Sequence, residues 1–260
     1  MTDPIQQFAQ ERHQQIAGYP RDAAFTAQSQ AWLEASMRRR YVYNYDWMGR
    51  PIIQYPQDMV AMQELVWSTR PDLIIETGIA HGGSLVLSAS LLAMLDYCDA
   101  VQAGTALDPK ASKRKVLGLD IDIRPHNRDA IESHPLAHKI DMIQGSSISS
   151  EVIDKVQAYA SGYQRVMVCL DSNHTHEHVL AELRAYAPLT TPGCYCVVFD
   201  TFVEDMPANL FPDRPWAPGD NPKTAVHAYL KEQPGFEIDA AIPHKLQVTV
   251  APDGFLKRLR

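Results

Sequence analysis

Four acidic residues, Glu76, Asp120, Asp171 and Asp200, each close a short run of aliphatic and β-branched residues that reads as a buried strand. If those strands lie parallel in one sheet, their four carboxylates emerge along one edge, where open α/β sheets bind ligands. Carboxylates that share a crevice repel one another, so hydroxyl groups, a cationic ligand or a divalent metal must stabilise them. The third acid opens the turn Asp171-Ser172-Asn173-His174-Thr175-His176-Glu177-His178, for which three readings compete. The histidines can be polar residues around a helix start. They can be a metal-dependent hydrolase site in which His174 and His176 form a His-x-His pair, although His178 comes one position early for the common continuation. Or Asp171 can serve a hard metal while His174 is general base for a substrate hydroxyl.

The first acid lies inside Asp72 to Ser84, the stretch around which the chain is organised. An aliphatic run is followed by Gly78, Gly82 and Gly83 and then by an apolar segment, Leu85 to Leu95, with helical spacing. Strand, glycine turn and helix follow in that order. Such a turn lets a ligand press against backbone and points the free N–H groups of the helix start toward it. Glu76 would repel phosphate but accepts hydrogen bonds from hydroxyl or ammonium groups, so a simple pyrophosphate is not the expected ligand. The turn also lacks Gly-x-Gly-x-x-Gly, which weakens a nicotinamide oxidoreductase reading. Asp120, at the end of the second strand, stands where a ribose diol is usually gripped.

The elements that must position these groups follow from the chain in order. Asp3 to about Arg40 carries one or two mostly polar helices, and Tyr41 to Tyr55 is aromatic-rich, either a satellite core or the mouth of a pocket. A helix from Pro56 to Trp67 leads into the opening strand, and Asp99 to Ser112 reads as a surface loop. Strands are predicted at 115–122, 140–144, 165–171 and 195–200, with helices at 150–160 and 177–186 between the later ones. That alternation predicts an α/β fold with a mostly parallel sheet covered on both faces. Residues 201–222, with five prolines, Phe211 and Trp216, form a lid-like loop. A helix at 223–232 and strands at 236–239 and Leu246 to Val250 complete the chain. The expected division is a helical and aromatic extension, 1–56, and a catalytic domain, 57–260.

A chain of 260 residues with 45% hydrophobic and 21% charged residues suits one large soluble domain, and a net charge of -7 argues against nucleic-acid or anionic-membrane binding. Arg38-Arg39-Arg40 is a local basic patch, read as a solvated helix end. No apolar run approaching a membrane span and no signal-peptide core are apparent, so a cytoplasmic location is expected, with the cysteines at 98, 169, 194 and 196 reduced.

The segments Glu76 to Ser84, Leu170 to His174, Tyr195 to Thr201, Asn221 to Val226 and Val250 to Gly254, in that order, resemble the cephalosporin hydroxylase and rhamnosyl O-methyltransferase family, from about Tyr41 to Leu259. The resemblance implies an S-adenosylmethionine-dependent O-methyltransferase on a Rossmann-like, doubly wound seven-stranded sheet, with Mg2+ or a similar ion beside the methyl donor. It implies that Glu76, Gly78, Gly82, Gly83 and Ser84 face the donor's amino-acid and sulfonium end, with Thr77 and His81 in the same turn. Asp120 would then hold the ribose, and Gly145 and Ser146 the adenine. Asp171 and Asp200 match metal-ligand positions, and His174 stands where a hydroxyl proton would be taken. The acceptor would be a hydroxylated small molecule such as a sugar or natural-product glycoside, and the enzyme a homo-oligomer. One departure is Phe199, where the family pattern carries a second acid, so that Glu204, Asp205 or a histidine would have to complete the ion's shell. A donor-binding subunit without activity is the non-enzymatic alternative.

Overall fold

The computed structural model describes residues 3–260. Two helices, α1 (Pro4–Gly18) and α2 (Ala23–Arg38), precede a hairpin of β1 (Tyr45–Trp47) and β2 (Arg50–Ile52). Then follow α3 (Pro56–Thr69), β3 (Leu73–Thr77), α4 (Gly83–Ala103), β4 (Lys115–Asp120), α5 (Pro125–Glu132), β5 (Ile140–Gln144), α6 (Ser150–Ala160), β6 (Val166–Leu170), α7 (His176–Tyr186) and β7 (Tyr195–Val198). The chain closes with α8 (Pro222–Glu232), β8 (Phe236–Ile238), α9 (Ala241–Leu246) and β9 (Phe255–Arg258).

Seven strands form the main sheet in the order β5-β4-β3-β6-β7-β9-β8, with β9 antiparallel to both neighbours and the rest parallel. The four inner parallel strands, β4, β3, β6 and β7, are apolar on both faces because alternate residues enter different cores. Ile74, Val116, Met167 and Val197 join the α3 and α4 side, whereas Ile75, Leu117, Val168 and Val198 join the α6, α7 and α8 side. The strand order reverses between β3 and β6, and a ligand crevice belongs at that point.

Three expectations are corrected. Leu246 to Val250 is not a strand: α9 ends at Leu246, and the extended residues after it give Val248 and Val250 to the core. The Val250 N–H donates to the carboxylate of Asp58 at 3.0 Å, and the Thr249 hydroxyl bonds the same carboxylate, so a side chain replaces a neighbouring strand. The strand that pairs with β7 is instead Phe255–Arg258, which lies between β7 and the edge strand β8 and whose two basic residues concealed the burial of Phe255 and Leu256 on opposite faces. The loop expected from Asp99 starts later, because α4 continues to Ala103 and ends at Gly104 in a left-handed conformation. That makes α4 long and apolar enough to cross a membrane, contrary to the expectation. Here it covers the sheet with Leu85, Val86, Ala89, Leu92 and Leu95, and Asp96 and Asp99 near its end pair with Arg114. The N-terminal elements share the main core through Leu33, Val42 and Tyr55, which cluster with the sheet residues.

Candidate active site

At the switch point β3 ends in the glycine turn, and its geometry leaves no room for a side chain at Gly78. That residue has φ +90°, and an added Cβ would lie 2.1 Å from the carbonyl oxygen of Asp171 on the neighbouring strand end. The rest of the turn is held from three directions. Asp120 accepts from the Ile79 N–H at 2.9 Å, Asn127 donates to the Ala80 carbonyl at 2.9 Å, and Arg50 donates to the His81 carbonyl at 2.6 and 3.0 Å. At Gly83 the β2 hairpin strand comes so close that a Cβ would meet the Pro51 carbonyl at 2.2 Å. Arg50 and Asn127 were not singled out from the sequence. Asn127 is brought to the turn by α5, which opens with Pro125 at its first position.

A cleft of about 670 Å³ opens over this turn, within the range of small-molecule sites. Of the residues expected there, Gly78, His81, Gly83, Ser84, Asp120, Asp171, His174 and Asp200 line it. Thr77, Gly82, Gly145 and Ser146 do not. Thr77 is wholly buried in the strand and Gly82 packs toward Ile131. Gly145 and Ser146 follow the end of β5, beyond β4, where the Gly145 N–H bonds the Asp120 backbone carbonyl. Glu76 is the correction among the four acids. It is buried behind the cleft, accepting from Ser84, in a narrow chamber it shares with Asp58, Gln54 and Asp171. Burial without a cationic partner lifts both Glu76 and Asp58 to about 7.

The cluster at the cleft floor joins two strand ends. Asp171, His174 and Asp200 offer one donor atom each, all within 4.8 Å of one another, and His174 Nε2 stands 3.0 Å from the carboxylate of Asp200. Asp200 takes a left-handed conformation at φ 56°, an uncommon one for a non-glycine residue, held where the chain turns from β7 into the buried residues Thr201 to Val203. Burial and then the charges of Asp200, Glu76, Glu182 and Asp58 push the carboxyl of Asp171 well above its ordinary range. Gln54 donates to Asp171 at 3.2 Å, while its side-chain oxygen is buried without a partner. Trp216, from the loop after β7, sets its ring edge-on to His174 at 4.7 Å. Two carboxylates and an imidazole around one point suit a hard divalent cation that keeps part of its water shell.

The histidine turn does not form a hydrolase centre. His176 Nδ1 lies 2.8 Å from the Thr224 hydroxyl, and His178 points toward Ser147, Ser172 and Glu182, so the three imidazoles diverge from one another. Nor do Glu204 and Asp205 supplement the cluster. Glu204 accepts from Gly219 and Asn221, and Asp205 pairs with Lys223. Phe199 is buried in the core, its ring lining the chamber of Glu76.

Comparison with known proteins gives one family. The model of the Rhamnosyl O-methyltransferase/CmcI family matches residues 39–259. A rhamnosyl O-methyltransferase of Mycobacterium leprae (strain TN) is 30% identical over 216 residues, covering 82% of each chain. That of Mycobacterium bovis (strain BCG / Pasteur 1173P2) is 28% identical over 218 residues, covering 82% of this chain and 77% of its own. Among solved structures, an apo-structure of CmcI-N160 superposes with a TM-score of 0.53 at 16% identity, covering 84% of this chain and 77% of that one. A structure described as cmcI-D160 Mg-SAM gives a TM-score of 0.52 at 16% identity, covering 84% and 78%. These structural likenesses concern the fold.

Proposed function

The chain belongs to the Rhamnosyl O-methyltransferase/CmcI family and is by that membership an O-methyltransferase, and we propose that it methylates a hydroxyl of a small molecule, such as a sugar or natural-product glycoside, from S-adenosylmethionine with a magnesium-type ion. The observation that carries the reading is the meeting, in one cleft, of the constrained glycine turn with the Asp171, His174 and Asp200 cluster.

In the transfer the C–O bond forms as the C–S bond breaks, the sulfur keeps the electron pair and the hydroxyl gives up its proton. The residues therefore have to align two reactants and remove a proton. Gly78, Gly83 and Ser84 seat the donor's amino-acid end against backbone, and Asp120, already fixed by the Ile79 N–H, takes the ribose hydroxyls. Glu76 acts from behind the turn, orienting Ser84. Asp171 and Asp200 would hold the ion, which when bound would supply the charge that acidifies and orients the acceptor hydroxyl. His174 takes the proton from that hydroxyl, and the Asp200 carboxylate 3.0 Å away stabilises the imidazolium that results. Trp216, Phe211 and Leu210 cover the acceptor and keep water out. His174 as a third ion ligand is the alternative role. It would make His174→Ala lose ion affinity, whereas a base variant keeps it.

We place the reaction in the cytoplasm, consistent with four free cysteines. We also propose a homo-oligomer, because α1 buries none of its residues and leaves Ile5 and Phe8 exposed, which sedimentation would test.

The test is incubation with methyl-labelled donor and a panel of glycosides and phenols, with and without chelator. Transfer to a hydroxyl is expected, and its loss with chelator. Donor binding without transfer to any acceptor would favour the inactive donor-binding subunit, and chelator without effect would overturn the ion alone.

A further inference from the structure

The floor of the cleft is acidic, but its rim is not. Arg38, Arg40 and Arg214 all line it, in a chain whose net charge is -7. Arg38 is engaged with Glu34 on its own helix. Arg40 and Arg214 are different: each lays its guanidinium over an aromatic ring that itself lines the cleft, Arg40 over Tyr43 at 5.0 Å and Arg214 over Trp216 at 5.2 Å. Neither makes a side-chain hydrogen bond or an ion pair among the described residues. The two pairs come from separate parts of the chain, one from the residues after α2 and one from the loop after β7.

Stacking fixes a guanidinium by its face and leaves the N–H groups in its plane free, a planar fork that matches the two oxygens of a carboxylate or phosphate. A lone solvated arginine sacrifices side-chain entropy when it binds an anion. A stacked one has already lost part of it. Arg214 also has a defined relation to the chemistry, because the Trp216 ring that carries it meets His174 edge-on at 4.7 Å. An acceptor with its reacting hydroxyl at His174 and its ring along Trp216 would therefore present its next substituent to Arg214.

Resting on the methyl-transfer reading above, we propose that the acceptor is anionic: it carries a carboxylate or phosphate about one sugar ring from the methylated hydroxyl, and Arg214 and Arg40 bind that group. The arginines select the acceptor and take no part in the proton transfer. The donor, which also has a carboxylate, is held on the other side by the glycine turn and does not need them.

The test is calorimetric titration of the full chain, saturated with S-adenosylhomocysteine and Mg2+, with three matched probes: methyl β-glucoside, glucuronate and glucose 6-phosphate, and with inorganic phosphate beside them. At least one anionic sugar should bind tenfold or more tighter than the neutral glucoside, with a preference that shrinks as salt is raised. Comparison of glucuronate with the phosphate ester tells which anion is taken. Arg214→Met should weaken the anionic probe by roughly tenfold to a hundredfold, Arg214→Lys by less, and Arg40→Met with Arg214→Met should abolish the preference. S-adenosylmethionine affinity should be unchanged in all three variants. Equal binding of neutral and anionic sugars, no binding of any anion including phosphate, or anion binding untouched by the double substitution would overturn the proposal. So would a loss of donor affinity in the arginine variants, which would assign them to the donor. A wild-type chain that binds anions but no donor would leave the anion site standing and remove the methyl-transfer reading instead.

Discussion

The two walls of the cleft are built in opposite ways. The glycine-turn wall is covalently short and cross-braced: Asp120, Asn127 and Arg50, from three different elements, hold successive residues of it, and Gly78 and Gly83 are packed too closely for a Cβ. The wall formed by residues 206–221 is held mainly at its ends, where Asn221 meets Glu204. Its internal backbone bonds are local, Leu210 to Pro207, Arg214 to Phe211, and Ala217 with Asp220. It meets the rest of the cleft chiefly through ring contacts, Trp216 on His174 and Phe211 on Phe202. The difference teaches which reactant each wall serves. A rigid backbone seat suits a ligand that never changes, whereas a loop of aromatic contacts can be altered between relatives without disturbing the sheet.

Substitutions on the two walls should therefore fail in different ways. The largest effect is expected from Gly78→Ala, which drives a Cβ into the Asp171 carbonyl at a backbone angle that disfavours side chains. A stability loss of about 3 kcal/mol or more is expected in urea denaturation, with donor binding lost along with it. A variant of normal stability and donor affinity would break the comparison. His174→Ala, at the seam of the two walls, should lower kcat by about 10²-fold or more while leaving donor affinity and stability near wild type, as single-turnover methyl transfer would show. Trp216→Ala should raise the acceptor KM by roughly tenfold, with donor affinity again intact. Equal losses for both substrates would mean that the loop serves the donor as well.

The most diffuse effect is the pH dependence of stability, because it is spread over two buried carboxyls outside both walls. Glu76 and Asp58 ionise near 7 in the folded chain but at their ordinary values near 4.5 and 3.8 once unfolded. Between those values the folded state keeps protons that the unfolded state has released. Stability is thus highest below about 4 as far as these groups contribute, and declines as pH rises toward 7. Thermal melts from pH 5 to 8 should show a decline that Glu76→Gln reduces, and an equally steep decline in that variant would assign the effect elsewhere.

Much of this architecture was legible in the sequence because it is carried by strong local signals. Four of the parallel strands, β3, β4, β6 and β7, are near-continuous apolar runs, and once they are placed in one sheet the acids at their ends have only one edge on which to appear. What escaped depends on tertiary closure. The hairpin strands are three residues each and contain Asp46 and Arg50, too short and too polar for a periodic signal. Val248 and Val250 alternate like a strand, but the Val250 N–H is spent on Asp58, a residue nearly two hundred positions away, and the Val248 N–H on the nearby Leu246 carbonyl. Glu76 ends its strand like the other acids, yet Ser84 and the cleft floor enclose it, so its position behind the cleft follows from the turn and not from the strand. Arg50, Asn127, Gln54 and the stacked Arg214 had no motif to announce them, since only the folded chain brings Gln54 and Arg214 to the cleft and Arg50 and Asn127 to the turn that bounds it.

The central claim, that this cleft seats a methyl donor on its glycine turn, is tested most directly by titrating S-adenosylmethionine into the chain in a calorimeter. The account predicts saturable binding at one site per chain, weakened tenfold or more by Asp120→Ala and unchanged by Trp216→Ala. Absence of binding, or binding that Asp120→Ala leaves intact while Trp216→Ala removes it, would contradict it.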